Sequence, residues 1–481
     1  MKTFLFYDVE TSGLNPAFDQ ILTFACIRTD PGLNEIKRQT ITIRLRKDIV
    51  PSPQAFLTHG LTFDELSCGI NEYEAALKIH KILNTPDTIS LGYNSLGFDD
   101  DFLRFLFYRN LLDPYTHQYA NGCSRMDILP ITVLFRIFQK DSLNWPHIDG
   151  KPSLKLDLIS RENNFVTTGR AHEALNDVEA VIELSKKMFF QKDIWNYSLD
   201  FFNKTRDEIR INNINKTLNI QNTPFRHCIM MSASFGSKSN YMAQVIHLGS
   251  SLAYKNQSLW LRLDSDDILG INAGLDIKET FVLRKKAADA LIVLPALERF
   301  LDKLSEESRQ TVRENIMKIG SHKENFFKFI QYHLNYKYPF IPDMDPDAAL
   351  YQDGFFSFKE KQEINLFHQT FSNLILTNLN PDKTKTINKI KSQRIKILAN
   401  RILARNCNNI SGHTDQTEYR QHVNRLKSSM EKDHIIGYRN DIKFNRRQGL
   451  DDLETTRQSL LNPDQETKSM LGWLKKYIEA L

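Results

Sequence analysis

Asp8 and Glu10, in the stretch FLFYDVETSGL, are two carboxylates one residue apart at the end of an apolar run. Alternate residues of a strand share a face, so the two acids would stand side by side. Placing two like charges beside a core is costly unless something positive intervenes. Two more acids have suggestive settings. Asp99, in YNSLGFDDDFLRF, follows an aromatic residue where a helical pattern begins, downstream of an apolar run. GRAHEALNDVEA supplies His172 and, after four residues, Asp177. Four carboxylates on a strand, a helix start and a second helix could meet at one sheet edge. Two hard cations such as Mg²⁺ would make them a ligand set. Paired cations about 3.5–4 Å apart activate a water and stabilise the leaving oxygen of a phosphodiester. A neutral His172 could take the water's proton. Singly, the pieces read as strand-end acids, helix-start acids favoured by the macrodipole, and a solvated loop histidine. Their specificity lies in the combination and its order.

The elements that must position them follow from periodicity. Residues 3–7, 21–29 and 40–45 read as three strands joined by short turns, the first turn carrying Gly13 and Pro16. A helix is expected over 71–83, a buried strand over 89–94, and helices over 99–110, 154–163 and 173–190. A meander followed by strand–helix alternation implies a mixed sheet with helices against it. Between 225 and 296 the texture changes to short strand-like pieces, HCIMMSASF, YMAQVIHL, SLWLRLD and TFVLR, the pattern of a small β-barrel. Helical patterns dominate beyond. They include a basic helix over 387–406, whose apolar stripe is flanked by Lys389, Lys391, Arg394, Arg401 and Arg405.

The chain has 481 residues, 41% hydrophobic and 25% charged, which implies an ordinary globular protein of several domains. Cys26, Cys68, Cys123, Cys228 and Cys407 form no CxxC pair, which argues against a disulfide framework or zinc site and for a reducing cytoplasm. No apolar run reaches membrane length, and the first apolar run is too short for a signal-peptide core. The net charge of +5 is uneven. Residues 381–450 carry 16 Lys and Arg against 6 Asp and Glu, so the remainder sums to −5. A basic region of that kind suits a polyanion partner, or is a solvated helical face.

The order Asp-x-Glu, Asn-x-x-x-Phe-Asp, His-x4-Asp resembles the DEDDh exonuclease superfamily, with its ribonuclease-H-like fold. More closely, the chain resembles the bacterial exodeoxyribonuclease I family from end to end, through FLFYDVETSGLNPAFDQILTFACIRTD, LGYNSLGFDDDFLRFLFYRNLLDPY, SRMDILP, NWP, AHEALNDVEA and LYQDGFFS. The resemblance implies an α/β multidomain protein. Its parts would be a ribonuclease-H-like mixed-sheet exonuclease domain (1–190), an SH3-like β-barrel domain with helical insertions (195–352) and an α-helical C-terminal domain (356–481). It also implies processive 3′→5′ hydrolysis of single-stranded DNA to 5′-mononucleotides by two-metal-ion catalysis, in DNA repair and recombination. Asp8, Glu10 and Asp177 would hold two Mg²⁺ ions, with Mn²⁺ a substitute; Asp99, chosen over Asp100 because it directly follows Phe98, would contribute directly or through water, and His172 would be the general base. Glu10, Lys155, Arg104, Tyr115, Tyr119 and Lys204 would contact the substrate. Lys155 sits where the family usually has an arginine, keeping the charge but losing the bidentate fork. The family's Asn-Lys-Cys-Pro segment is lacking, and Arg284, Lys285 and Lys286 stand as its substitutes. The implied partners are single-stranded DNA and the acidic tail of the single-stranded-DNA-binding protein. The implied state is a monomer in the bacterial cytoplasm, away from membranes.

Two other readings compete. A DEDDh ribonuclease trimming short RNA would not need the further 290 or so residues. A non-catalytic single-strand-binding protein would be favoured by loss of a metal carboxylate or of the histidine, yet all five positions are filled.

Overall fold

The computed structural model describes residues 2–165, 173–265, 268, 282–377, 387, 389–407 and 417–481. Its first sheet has the order β3-β2-β1-β4-β5, with β1 (Thr3–Thr11), β2 (Ile21–Thr29), β3 (Glu35–Thr42), β4 (Thr88–Gly92) and β5 (Ser124–Asp127). β1, β2 and β3 form an antiparallel meander, whereas β4 and β5 run parallel to β1, so the sheet is mixed. β1 runs four residues further than its apolar run suggests. Pairing with β2 continues through Asp8 opposite Ala25 and Glu10 opposite Thr23, carrying both acids on the ladder. The third strand is Glu35–Thr42, not 40–45, because the polar EIKRQTIT is an exposed edge that ladder bonds define and hydropathy does not.

Helices cover both faces: α1 (Glu72–Leu83), α2 (Asp99–Arg109), α3 (Ile128–Phe138) and α4 (Ala174–Phe189). α1 starts at Asn71, whose side chain caps the Glu74 N–H. The sequence pattern missed α3, since ILPITVLFRIF is apolar nearly all round and shows no helical stripe.

After helix α5 (Lys204–Asn212), a second sheet is wholly antiparallel, in the order β9-β8-β7-β6-β10. The strands are β6 (His227–Met231), β7 (Met242–Ser250), β8 (Gln257–Arg262), β9 (Val282–Lys286) and β10 (Ile292–Pro295). β10 adds a fifth strand to the four that the sequence suggests. One face, with Ile229, Met231, Met242 and Leu294, joins the core of the first sheet and α3. The other packs Cys228, Met230, Val245 and Trp260.

The remaining elements are mainly helical: α6 (Glu306–Ser321), α7 (Lys323–Asn335), α8 (Phe358–Thr377), α9 (Gln393–Asn406), α10 (Thr417–Lys427), α11 (Arg446–Ser459) and α12 (Gln465–Ala480). The basic helix thus starts at Gln393, six residues later than expected, with Ser392 as its N-cap. α8 and α9 pack Phe367, Phe371, Ile395 and Leu398 onto Tyr73, Phe105 and Tyr108 of the first unit. Among the described residues, no helix is long and apolar enough to cross a membrane.

A buried charge network ties the last helices to the first sheet. Arg405 donates to Asp48 and Asp347, and Arg401 to Asp345, Asp347 and Glu418. Arg46 bridges Asp48 and Glu72, and Arg109 also holds Glu72. Arg401 and Arg405 are therefore not part of a basic outer surface, as the charge count had suggested. Arg394 is likewise held by Glu360.

Candidate active site

β1 delivers Asp8 and Glu10 on its half-open face while Val9 points into the core. The turn that follows is held by Asp19, which accepts from Ser12 Oγ and the Asn15 N–H, each at 2.9 Å. A Cβ at Gly13 would lie 2.5 Å from the Asp19 carboxylate, so a side chain there would break this turn. α4 packs on β1 and β2 and brings Asp177, an acid of its first turn. Oxygens of Asp8, Glu10 and Asp177 lie within 4.8 Å of one another.

Asp99 joins this group from the start of α2. Its carboxylate accepts the Val9 N–H at 3.2 Å, between the two β1 acids. Asp100 turns the other way: Arg104 and Arg125 both donate to it, and His117 lies 3.4 Å away. Burial would raise its pKa, but Arg104 and Arg125 outweigh that and hold it well below the usual carboxylate range. Consecutive acids are thereby sorted, one toward carboxylates and the next toward arginines.

Asp127, fully buried at the end of β5, sets the loop that carries Asp99. It accepts the N–H groups of Asn94 and Leu129 at 2.9 Å and of Leu96 at 3.0 Å. SRMDILP contains this acid, but only its three backbone donors reveal its part. Asp127→Ala removes the acceptor from three backbone N–H groups. It is expected to lower the thermal midpoint and, by loosening Asp99, to reduce turnover at the acid group about tenfold. Circular dichroism and steady-state hydrolysis rates read these two effects.

The electrostatics of the acid group call for a cation. Burial, then Asp99, Glu10 and Asp177, push the Asp8 carboxyl far up. Burial, then Asp177 and Asp99, raise Glu10 to about 8. Burial raises Asp99 to about 8 as well. The charges acting on Asp8 and Glu10 are other carboxylates, so the donor set fits hard divalent cations. His172 lies outside the described residues.

Four of the expected substrate residues, Arg104, Tyr115, Tyr119 and Lys204, line one cleft of about 950 Å³. Arg125, Arg206, Lys286, Tyr351 and Phe355 join them, so both sheets and the helical part contribute. Tyr351 donates to Asp101 at 2.9 Å, and Phe355 meets the Tyr115 ring at 5.3 Å between centroids. Glu10 and Lys155 do not line this cleft, and Lys155 is exposed as the N-cap of helix Leu156–Asn163. Lys285 is a correction: its ammonium is buried against Asp207 at 2.7 Å and is not free for phosphate. Strand alternation explains this, since Lys285 points inward while Arg284 and Lys286 share the other face.

The family described as exonuclease matches residues 5–185. The exodeoxyribonuclease I of Buchnera aphidicola (subspecies Acyrthosiphon pisum) is 30% identical over 80% of this chain and 95% of that one. The exodeoxyribonuclease I of Escherichia coli is 30% identical over 77% of this chain and 80% of its own. The crystal structure of Escherichia coli exonuclease I in complex with a dT13 oligonucleotide superposes with a TM-score of 0.79, at 24% identity and full coverage of both chains.

Proposed function

The chain belongs to the exodeoxyribonuclease I family and is an exonuclease, and from that premise we propose that it degrades single-stranded DNA processively from the 3′ end to 5′-mononucleotides. The observation that carries the reading is the pairing of the carboxylate group with a basic, aromatic cleft at the two sides of the α2 start. Asp8, Glu10, Asp177 and Asp99 would hold two Mg²⁺ ions, or Mn²⁺ in their place. Bound there, the pair would supply an activated water and charge stabilisation at the leaving oxygen. The part of His172 is to accept the water's proton at an imidazole nitrogen. Glu10 also faces the terminal nucleotide. Arg104 and Lys204 contact phosphates, Tyr115 and Tyr119 stack on bases, and Lys155 approaches the strand from outside the cleft.

The family resemblance supports further assignments. The second sheet belongs to an SH3-like barrel domain spanning 195–352, between the exonuclease domain at 1–190 and the helical C-terminal domain at 356–481. Three domains around one cleft would hold the strand between cuts, which is the physical basis of processivity. The enzyme acts as a cytoplasmic monomer in DNA repair and recombination, docking the acidic tail of the single-stranded-DNA-binding protein.

The test is degradation of 3′-labelled and 5′-labelled single strands with Mg²⁺, beside duplex DNA, single-stranded RNA and EDTA. Immediate release of labelled mononucleotide from the 3′-labelled single-stranded DNA alone, lost in EDTA and reduced about 10²–10⁴-fold by His172→Ala, is expected. Preferential trimming of RNA would move the chain to the ribonuclease reading, and binding without cleavage would sink both.

A further inference from the structure

Beyond the cleft, the second sheet carries a cluster of rings and a guanidinium that the site described above does not use. Arg284 lies over the ring of Tyr336 at 4.9 Å and over that of Tyr338 at 5.9 Å. Tyr338 packs against Tyr254 at 5.1 Å and Tyr336 at 5.6 Å between centroids. The cluster is held firmly: the Tyr254 hydroxyl accepts the Tyr338 N–H at 2.9 Å, and the Leu252 N–H donates to the Leu334 carbonyl at 2.9 Å. Yet Tyr338 remains 55% exposed and Phe340, two residues on, 75% exposed.

We propose that Arg284, Tyr336 and Tyr338, backed by Tyr254, form a stacking platform for the single strand where it leaves the cleft. Continuity points to DNA as the occupant. Lys286 and Asn256 line the cleft, and Arg284 shares the outward face of β9 with Lys286. Gln257, next to Asn256, pairs with Lys286 across the ladder and accepts from Arg284 at 3.3 Å. The charge also suits a polyanion, since Lys255 and Lys337 are exposed beside Tyr254 and Tyr338. Arg284 donates to a neutral amide and not to a carboxylate, leaving its charge uncompensated in that contact. Stacking on tyrosine and guanidinium faces is sequence-tolerant, as a processive nuclease requires.

The proposal rests on the cleft being the single-strand path, and the test separates the two. Fluorescence anisotropy in EDTA measures the full chain binding oligo-dT of about five nucleotides, which fills the cleft, and of about fifteen, which reaches beyond it. Wild-type protein should bind the longer strand more tightly. Tyr336→Ala and Tyr338→Ala should weaken the longer strand about tenfold with the shorter unchanged, which also reports an intact fold. Tyr338→Phe, which keeps the ring, should behave as wild type. Retention of the full length advantage in both alanine variants overturns the platform alone. Failure of the wild-type protein to bind the short strand overturns the cleft reading and the platform with it.

Discussion

Asp8→Asn is expected to cut single-strand DNA hydrolysis by about 10³-fold or more, with the chain still folded. The substitution removes one charge from a group of carboxylates that raise one another's pKa, so its second effect is on stability. Without metal, Glu10 and Asp99 keep their protons up to about pH 8, against about 4 for an unfolded carboxylic acid. Between those values the folded state binds more protons than the unfolded one. Stability therefore falls as pH rises from about 4 to about 8. A divalent cation held there would satisfy the carboxylates and reverse that loss. Thermal melts at pH 8 should show wild-type protein gaining stability with added Mg²⁺. Asp8→Asn should start higher in EDTA and gain little. An active Asp8→Asn enzyme, or equal Mg²⁺ shifts in both proteins, would remove Asp8 from the ligand set.

Arg405→Ala is expected to lower folding stability by about 3–5 kcal/mol, the usual consequence of removing one partner from a buried ion pair. Asp48 and Asp347 are each fully buried and both accept from this guanidinium. His422 cannot replace it. Burial, with Arg401 and Lys443 beside it, lowers the imidazole to about 4, so it is neutral and lies between Asp345 and Lys443 as a hydrogen-bonding spacer. The network carries a pH signature. Burial tends to raise Asp48, Asp347 and Glu72, but Arg405 prevails at Asp48 and Asp347, and Arg109 with Arg46 at Glu72, holding all three low, Glu72 at about 2. Their contribution is present above pH 4 and fades as pH falls toward 2. Urea unfolding of Arg405→Ala, followed across pH, should show a weaker protein whose acid loss begins at higher pH. Asp345 and Asp347 sit a few residues before Tyr351 and Phe355, which line the cleft. The same variant, kept folded at low temperature, should therefore bind single-stranded DNA more weakly. A stability change within about 0.5 kcal/mol would show that the network carries no net stabilisation.

The acid set was legible in the chain because its chemistry is local and costly. DVE at a strand end, an Asp opening a helix, and an Asp five residues after a histidine each have an ordinary reading apart; only their combination and order suggest one group, and Asp8, Glu10, Asp99 and Asp177 do come together in the fold. Periodicity likewise gave the first two strands of the meander and the α1, α2 and α4 helices, where apolar patterns are clear. It failed where burial is all-round, as in α3, or where a strand is polar and exposed, as in β3.

Only tertiary structure decided what the charges do. Asp99 and Asp100 are chemically identical neighbours, yet a helix turns them about 100° apart, and the Val9 N–H meets one while Arg125 meets the other. Arg401 and Arg405 read in sequence as part of a basic region and Lys285 as a substitute phosphate contact, and each is buried against an aspartate distant in the chain. The cleft, too, draws on residues from Lys2 to Phe355. A residue's type is fixed by the sequence, but whether its charge meets solvent, a partner or a substrate depends on which distant segment packs beside it. That is settled by burial and pairing across the whole fold.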